Sequence, residues 1–316
     1  MGVKKIAQLI KLRDYISRYE RNIYRYPSRY IRLKQDNWRK LHQQWIDAHS
    51  NDMEEALDVH EDVESTLSKW MSWFTNRKVH EFEQKKEEII LPTSEKDLKR
   101  YFLTKLFPFQ LKWASSTVTE LSALAKRYYN DKLLMYFLQR FPDTYFIMYD
   151  TVFNIKKVPI DGDIIFISPI GIDVIYVLEH ESQASIAASN ERTWIINPED
   201  SPVKILSPLI TLKRTERIIK SILSKSEISF PITKIVLSRT NRIIDASHPY
   251  NTKIIGIDEY EDWFQKKRSL VSPLKNRQLK AAEVLLKYCQ TNSVKRAEWD
   301  EDMKICTMNN ERITNE

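Results

Sequence analysis

Apolar residues recur at intervals of three and four through the first part of the chain. Leu9, Leu12, Ile16, Tyr19 and Ile23 follow a 3, 4, 3, 4 spacing, which lines one face of a helix. Pro27 and Ser28 then mark a break, with Ser28 placed to cap a second helix, and Trp38, Leu41 and Trp45 continue the spacing. A third run, Ala56, His60, Val63, Leu67, Trp70 and Phe74, predicts a long helix reaching Lys86. Stripes of this kind bury their apolar faces against one another, so a helical bundle or hairpin is expected over residues 1–112. Near its end Pro92 stops one helix and Ser94 opens another as N-cap.

Beyond Trp113 the runs shorten. Residues 116–141 predict a helix that ends at Pro142. "TYFIMYDTVF" then predicts a strand, and residues 163–179 predict two strands around "SPIG". "RTWIINP" adds a short strand, with Trp194 a core residue, and "SPLITLKRTERIIKSILSK" has the period of an amphipathic helix. "ITKIVLSR" and "TKIIGID" predict strands, and "DEYEDWFQKKRS" a helix. This order describes an α/β domain over 113–268, a mixed sheet covered by helices, followed by a helical tail over 269–316.

Composition narrows the function classes. The 316 residues carry a formal net charge of +7, which favours polyanionic partners. Only four glycines are present, and neither GxGxxG, GxxxxGK[ST] nor GxSxG occurs, which sets aside dinucleotide, P-loop and nucleophile-elbow enzymes. Cys289 and Cys306 form no CxxC pair, so neither a zinc site nor a disulfide framework is expected. No stretch reaches the ~18 apolar residues of a membrane span, and the basic start lacks the apolar core of a secretory leader. A cytoplasmic protein without a membrane partner is the expectation.

Charge is also segregated. Residues 1–40 hold twelve Lys and Arg against Asp14, Glu20 and Asp36, whereas 47–64 hold eight acids and no base. One reading packs the acidic helix beside the basic one, with self-association through these helices. The other lets the interleaved arginines and tyrosines of residues 13–34 follow a nucleic-acid backbone.

The candidate chemistry lies in "DGDIIFISPIGIDVIYVLEHES", residues 161–182. Side chains two apart on a strand share a face, so Glu179 and Glu181 point one way and His180 the other. Asp163 opens the neighbouring strand and brings a third carboxylate across the hairpin, and Asp173 shares the Glu179 face further along. Converging carboxylates bind a hard cation such as Mg²⁺ or Mn²⁺, which activates water against a phosphodiester. The competing reading is an ordinary buried hairpin. A carboxylate ending so apolar a strand is costly unless partnered, which favours a site at Glu179.

From Ser116 to Arg268 the chain resembles the nuclease-related domain (NERD) family of the PD-(D/E)XK nuclease superfamily. The segments that carry the resemblance, in order, are "STVTELSALAKRYY", "DIIFISPIG", "VIYVLEHE", "RTWII", "SPLITLKRTERIIKSIL", "PITKIVLSRTNRIIDAS" and "IIGIDEYEDWF". The resemblance implies a restriction-endonuclease-like mixed sheet flanked by helices and a metal-dependent nuclease-like protein acting on or binding nucleic acid, with DNA expected ahead of RNA. Asp163 and Glu179 would then be metal ligands, Glu181 a ligand or base, and Glu120 a supporting helix acid. The signature lysine falls at 181, where this chain has Glu181; a register shifted by two instead puts Glu181 and Gln183 in the acid and lysine places. Glutamate cannot stabilise a phosphorane, although it can bind metal or accept a proton, so the second reading, after the nuclease, is a degenerate nuclease fold that binds nucleic acid or protein. Lys213, Arg217 and Lys220 recur on one face of the Pro-Leu helix, either as phosphate contacts or as a solvated surface.

Overall fold

The computed structural model describes residues 6–51, 92–181, 184–197, 199, 201–244 and 249–296. The helix expected over 56–74, Gln183 and Cys306 lie outside them. The described chain falls into two compact units, 28–51 with 92–109, and 6–27 with 110–296. The division differs from a cut near residue 112 because the N-terminal segment joins the second unit.

The first unit is formed by most of two helices, α2 (Tyr26–Asn51) and α3 (Glu95–Trp113). They run antiparallel. Tyr30 stacks on Phe109 at 6.4 Å, Trp38 meets Phe102 edge-on at 5.4 Å, and the Trp45 indole donates to the Pro92 carbonyl at 2.6 Å. Ser94 caps α3, its hydroxyl accepting from the Asp97 amide at 3.1 Å. Pro27 opens α2 rather than breaking the chain before it. The ring supplies a preset φ in the first turn, where its missing N–H costs nothing, so Ser28 is helical and not a cap.

The second unit is a three-layer α/β arrangement around a mixed six-stranded sheet. Its strands, in spatial order, are β1 (Gln8–Leu12), β3 (Phe146–Tyr149), β6 (Ile164–Ser168), β7 (Gly171–Val177), β11 (Ile232–Leu237) and β13 (Thr252–Ile255). β3, β6 and β7 form an antiparallel meander; β1 runs parallel to β3, and β11 and β13 run parallel to β7. Helices cover both faces, so strands such as FIMY and IIFIS are buried at every position and read as continuous apolar runs. One face carries α4 (Lys132–Arg140) and α6 (Ile257–Arg268): Phe137, Phe141 and Trp263 gather around Phe166 or its neighbours. The other carries α5 (Pro208–Lys225) and α7 (Asn276–Lys287), with Leu212, Ile219 and Ala282 fully buried.

Three further expectations are corrected. The stripe from Leu9 to Ile23 is not one helix: residues 8–12 are β1, and only Arg18–Arg21 form a short helix, α1, capped by Ser17. The helix expected over 116–141 begins only at Lys132. Before it come the short strand β2 (Glu120–Leu121), paired with β14 (Val294–Lys295), and a 3₁₀ turn at Lys126–Asn130. The expected strand 144–153 divides at Asp150, which has φ 50°, into β3 and β4 (Val152–Ile155). β4 turns back as β5 (Val158–Asp161). A second sheet holds β8 (Ile186–Ala187), β9 (Thr193–Ile196), β10 (Val203–Leu206) and β12 (Ile243–Ile244), with Trp194 fully buried in it. Among the described residues no helix is long and apolar enough to cross a membrane.

Candidate functional site

The β6–β7 hairpin forms as the sequence predicts, turning through Pro169 and Ile170 so that Ser168 pairs with Gly171. That two-residue turn fixes the register. Ile164 pairs with Ile175 and Ile165 with Val174, and continuing the ladder sets Asp163 opposite Tyr176. Cross-strand partners share a face, so Asp163 lies with Val174 and Tyr176, while Asp173, Ile175 and Val177 occupy the other side.

The side-chain partners follow this division. Thr215, on α5, donates its hydroxyl to Asp163 Oδ2 at 2.6 Å. Burial pushes the Asp163 carboxyl above its ordinary value, and hydrogen bonds from Thr215 and Thr211 with the nearby Arg214 charge offset this only in part. Asp173 faces the opposite layer and pairs with Lys267 of α6. Glu179 follows β7 and is gripped by Arg239, just past β11: Nε donates to Oε1 at 2.5 Å and Nη2 to Oε2 at 2.8 Å. The Arg239 guanidinium lies 4.5 Å from the ring centre of Tyr136 on α4, and Tyr136 meets Tyr260 of α6 hydroxyl to hydroxyl. Asp163 therefore belongs to the α5 side of the sheet and Glu179 to the α4 side.

The remaining candidates are also separate. Glu181 is exposed, and only its carbonyl is fixed, accepting from the buried Asn241 side chain at 2.8 Å. Asn241 also accepts from the His180 amide at 2.8 Å and donates to the Ala184 carbonyl at 2.9 Å, so it pins the whole turn. Glu120 stands on β2, not on a helix, and pairs with Arg21. Among the described residues no three His, Cys, Asp or Glu side chains are grouped to hold a metal ion. Asp163 with Thr215, Glu179 with Arg239 and Glu120 with Arg21 each have a partner of their own. Lys213 pairs with Glu191 and Lys220 with Glu216, while Arg217 is exposed.

Arg239 and Asn241 escaped the sequence reading. Their signal is the polar quartet Ser238–Asn241 placed directly after the apolar strand ITKIVL, where the carboxyl ends of parallel strands collect loops. A small cavity of about 180 Å³ lies elsewhere, lined by residues including Arg21, Tyr24, Glu283 and Lys287.

No family model matches the chain. No solved structure matches it either. It is 52% identical over 40 residues to an RNA 2',3'-cyclic phosphodiesterase from Geobacillus stearothermophilus, a stretch that is 13% of this chain and 13% of that protein. The match thus spans about an eighth of the length of this curated relative.

Proposed function

We propose that this protein is a nuclease-like fold that binds nucleic acid, DNA in particular, without forming a metal-loaded cleavage centre. The observation that carries the reading is the placement of Asp163 beneath α5 and of Glu179 in the Arg239 fork, on opposite sides of one sheet. The order α4–β3–β6–β7–α5–β11, with an aspartate at the head of the second meander strand, supports a restriction-endonuclease-like core. On the Asp163 face, the places from which a partner acid and lysine would reach it hold Val174 and Tyr176. The formal charge of +7 supports a polyanionic partner.

The test is incubation with supercoiled plasmid and single-stranded DNA in Mg²⁺ and in Mn²⁺, beside a gel-shift on the same DNA. The expected result is salt-sensitive binding with the DNA left intact. Cleavage by the parent that both Asp163→Ala and Glu179→Ala abolish would overturn the reading in favour of a metal-dependent nuclease.

A further inference from the structure

The β4–β5 hairpin turns through two residues, Lys156 and Lys157, since Ile155 pairs with Val158. Both lysines have positive φ, 52° and 68°. Two left-handed residues in succession make the tight turn that suits the strand twist, and asparagine and glycine are the residues that adopt it without strain. Lysine gains nothing locally there. Among the described residues no other two consecutive positions share this conformation. A strained choice at an exposed tip points to a role for the side chains themselves.

The hairpin is built to project. At its base Phe153 is fully buried, the Asn154 amide donates to the Tyr288 carbonyl at 2.8 Å, and the Gly162 amide donates to the Thr151 carbonyl at 2.8 Å. Gly162 is needed here: a Cβ would come within 2.9 Å of the Phe153 ring. From Asn154 to Pro159 every residue is exposed except Ile155, which is half-buried. Neither tip lysine has a partner among the described residues. Asp161 is the one acid on the hairpin, and it lies at the foot, where Arg214 of α5 donates to its carbonyl at 3.1 Å. Arg217 follows along α5, exposed.

We propose that the β4–β5 hairpin is a ribbon that enters the major groove of B-form DNA, with Lys156 and Lys157 at its tip reaching base edges and Arg214 and Arg217 at its foot meeting the phosphates at the rim. The inference rests on the nucleic-acid reading above and names its contact surface. At roughly 3.3 Å per residue, the exposed part rises about 8 Å. A major groove about 12 Å wide and about 8.5 Å deep admits a two-stranded ribbon, whereas the deep, narrow major groove of an RNA duplex does not.

The experiment is fluorescence anisotropy with a labelled 30-bp DNA duplex and the matching RNA duplex, over a range of NaCl, on the full chain. The variant is Lys156→Asn with Lys157→Gly, which removes both charges and installs the residues the turn prefers, so the fold is kept or strengthened. A thermal melt alongside checks this. The expected result is parent binding to DNA that the variant weakens about tenfold or more near 0.1 M salt. The slope of log K against log salt should flatten as the two charges leave the groove. Equal affinity and slope in parent and variant would overturn the ribbon while leaving DNA binding in place. Equal binding and equal loss on the RNA duplex would overturn groove entry. A parent that binds neither duplex would remove the nucleic-acid reading, and this inference with it.

Discussion

Arg239 closes a fork on Glu179 at the ends of two parallel strands, with donor–acceptor distances of 2.5 and 2.8 Å and about a quarter of each side chain exposed. The Arg239 amide adds a third hydrogen bond at 3.2 Å. Paired, charge-assisted bonds of this kind are stronger than neutral ones, and losing one partner leaves the other half-desolvated. Glu179→Ala is expected to lower unfolding stability by about 1–2 kcal/mol. Urea denaturation checks this as a lower midpoint with an unchanged slope.

Glu179 and Asp163 should respond to pH with opposite signs. Burial alone would raise the Glu179 carboxyl, but the Arg239 hydrogen bonds and charge outweigh it and hold it below 4.5. A depressed carboxyl stabilises the fold above its unfolded value, and that contribution fades as pH falls through the folded value. Asp163 is raised above 3.8 by burial, so its contribution is greatest below 3.8 and is lost as pH rises through its folded value. Asp163→Asn, which keeps an oxygen for Thr215, is expected to match or exceed the parent at pH 7 and to lose that advantage below pH 3.8. Glu179→Gln is expected to be weaker than the parent at pH 7 and to converge with it in acid. Unfolding curves of both variants from pH 3 to pH 8 read the two trends.

Lys11 fastens the N-terminal strand to the C-terminal part of the fold. It is fully buried on β1 and donates to the Tyr15 carbonyl at 2.8 Å, to Glu20 at 2.6 Å and to the Thr291 hydroxyl at 2.9 Å. Every ammonium proton is therefore used. Lys11→Met removes the cation beside Glu20, which keeps the Ser17 amide and the Thr291 hydroxyl as donors, and is expected to cost about 3 kcal/mol. Thermal unfolding would show it as a drop of several degrees, and Glu20→Gln should cost less because Glu20 is 17% exposed.

How much the sequence disclosed depended on the range of the pairing. α5 and α6 have the 3.6-residue period with start signals of their own, α7 has the period, and the apolar runs around Pro169 and Ile170 could only turn back on each other, so these elements are legible. β1 is not. Its partner β3 lies well over a hundred residues away, and a strand buried at every position, Gln8 and Lys11 included, shows no alternation to separate it from a helix. Asp163 was correctly set at the head of β6. Its relation to Glu179 depended on the length of one turn, because a shift of one residue moves a whole strand's side chains to the other face. With Ser168 paired to Gly171, odd positions of β6 face even positions of β7, and both acids carry odd numbers. The Arg239 fork depends on a loop 60 residues on, which no local pattern connects to Glu179.

The most direct measurement is a Mn²⁺ titration read by electron paramagnetic resonance, on the parent, Asp163→Asn and Glu179→Gln. Carboxylates on opposite faces of a sheet share no ion, so the three proteins should give the same titration, with no bound Mn²⁺ that depends on both residues. One tightly held Mn²⁺ per chain in the parent, lost in each variant, would contradict the account.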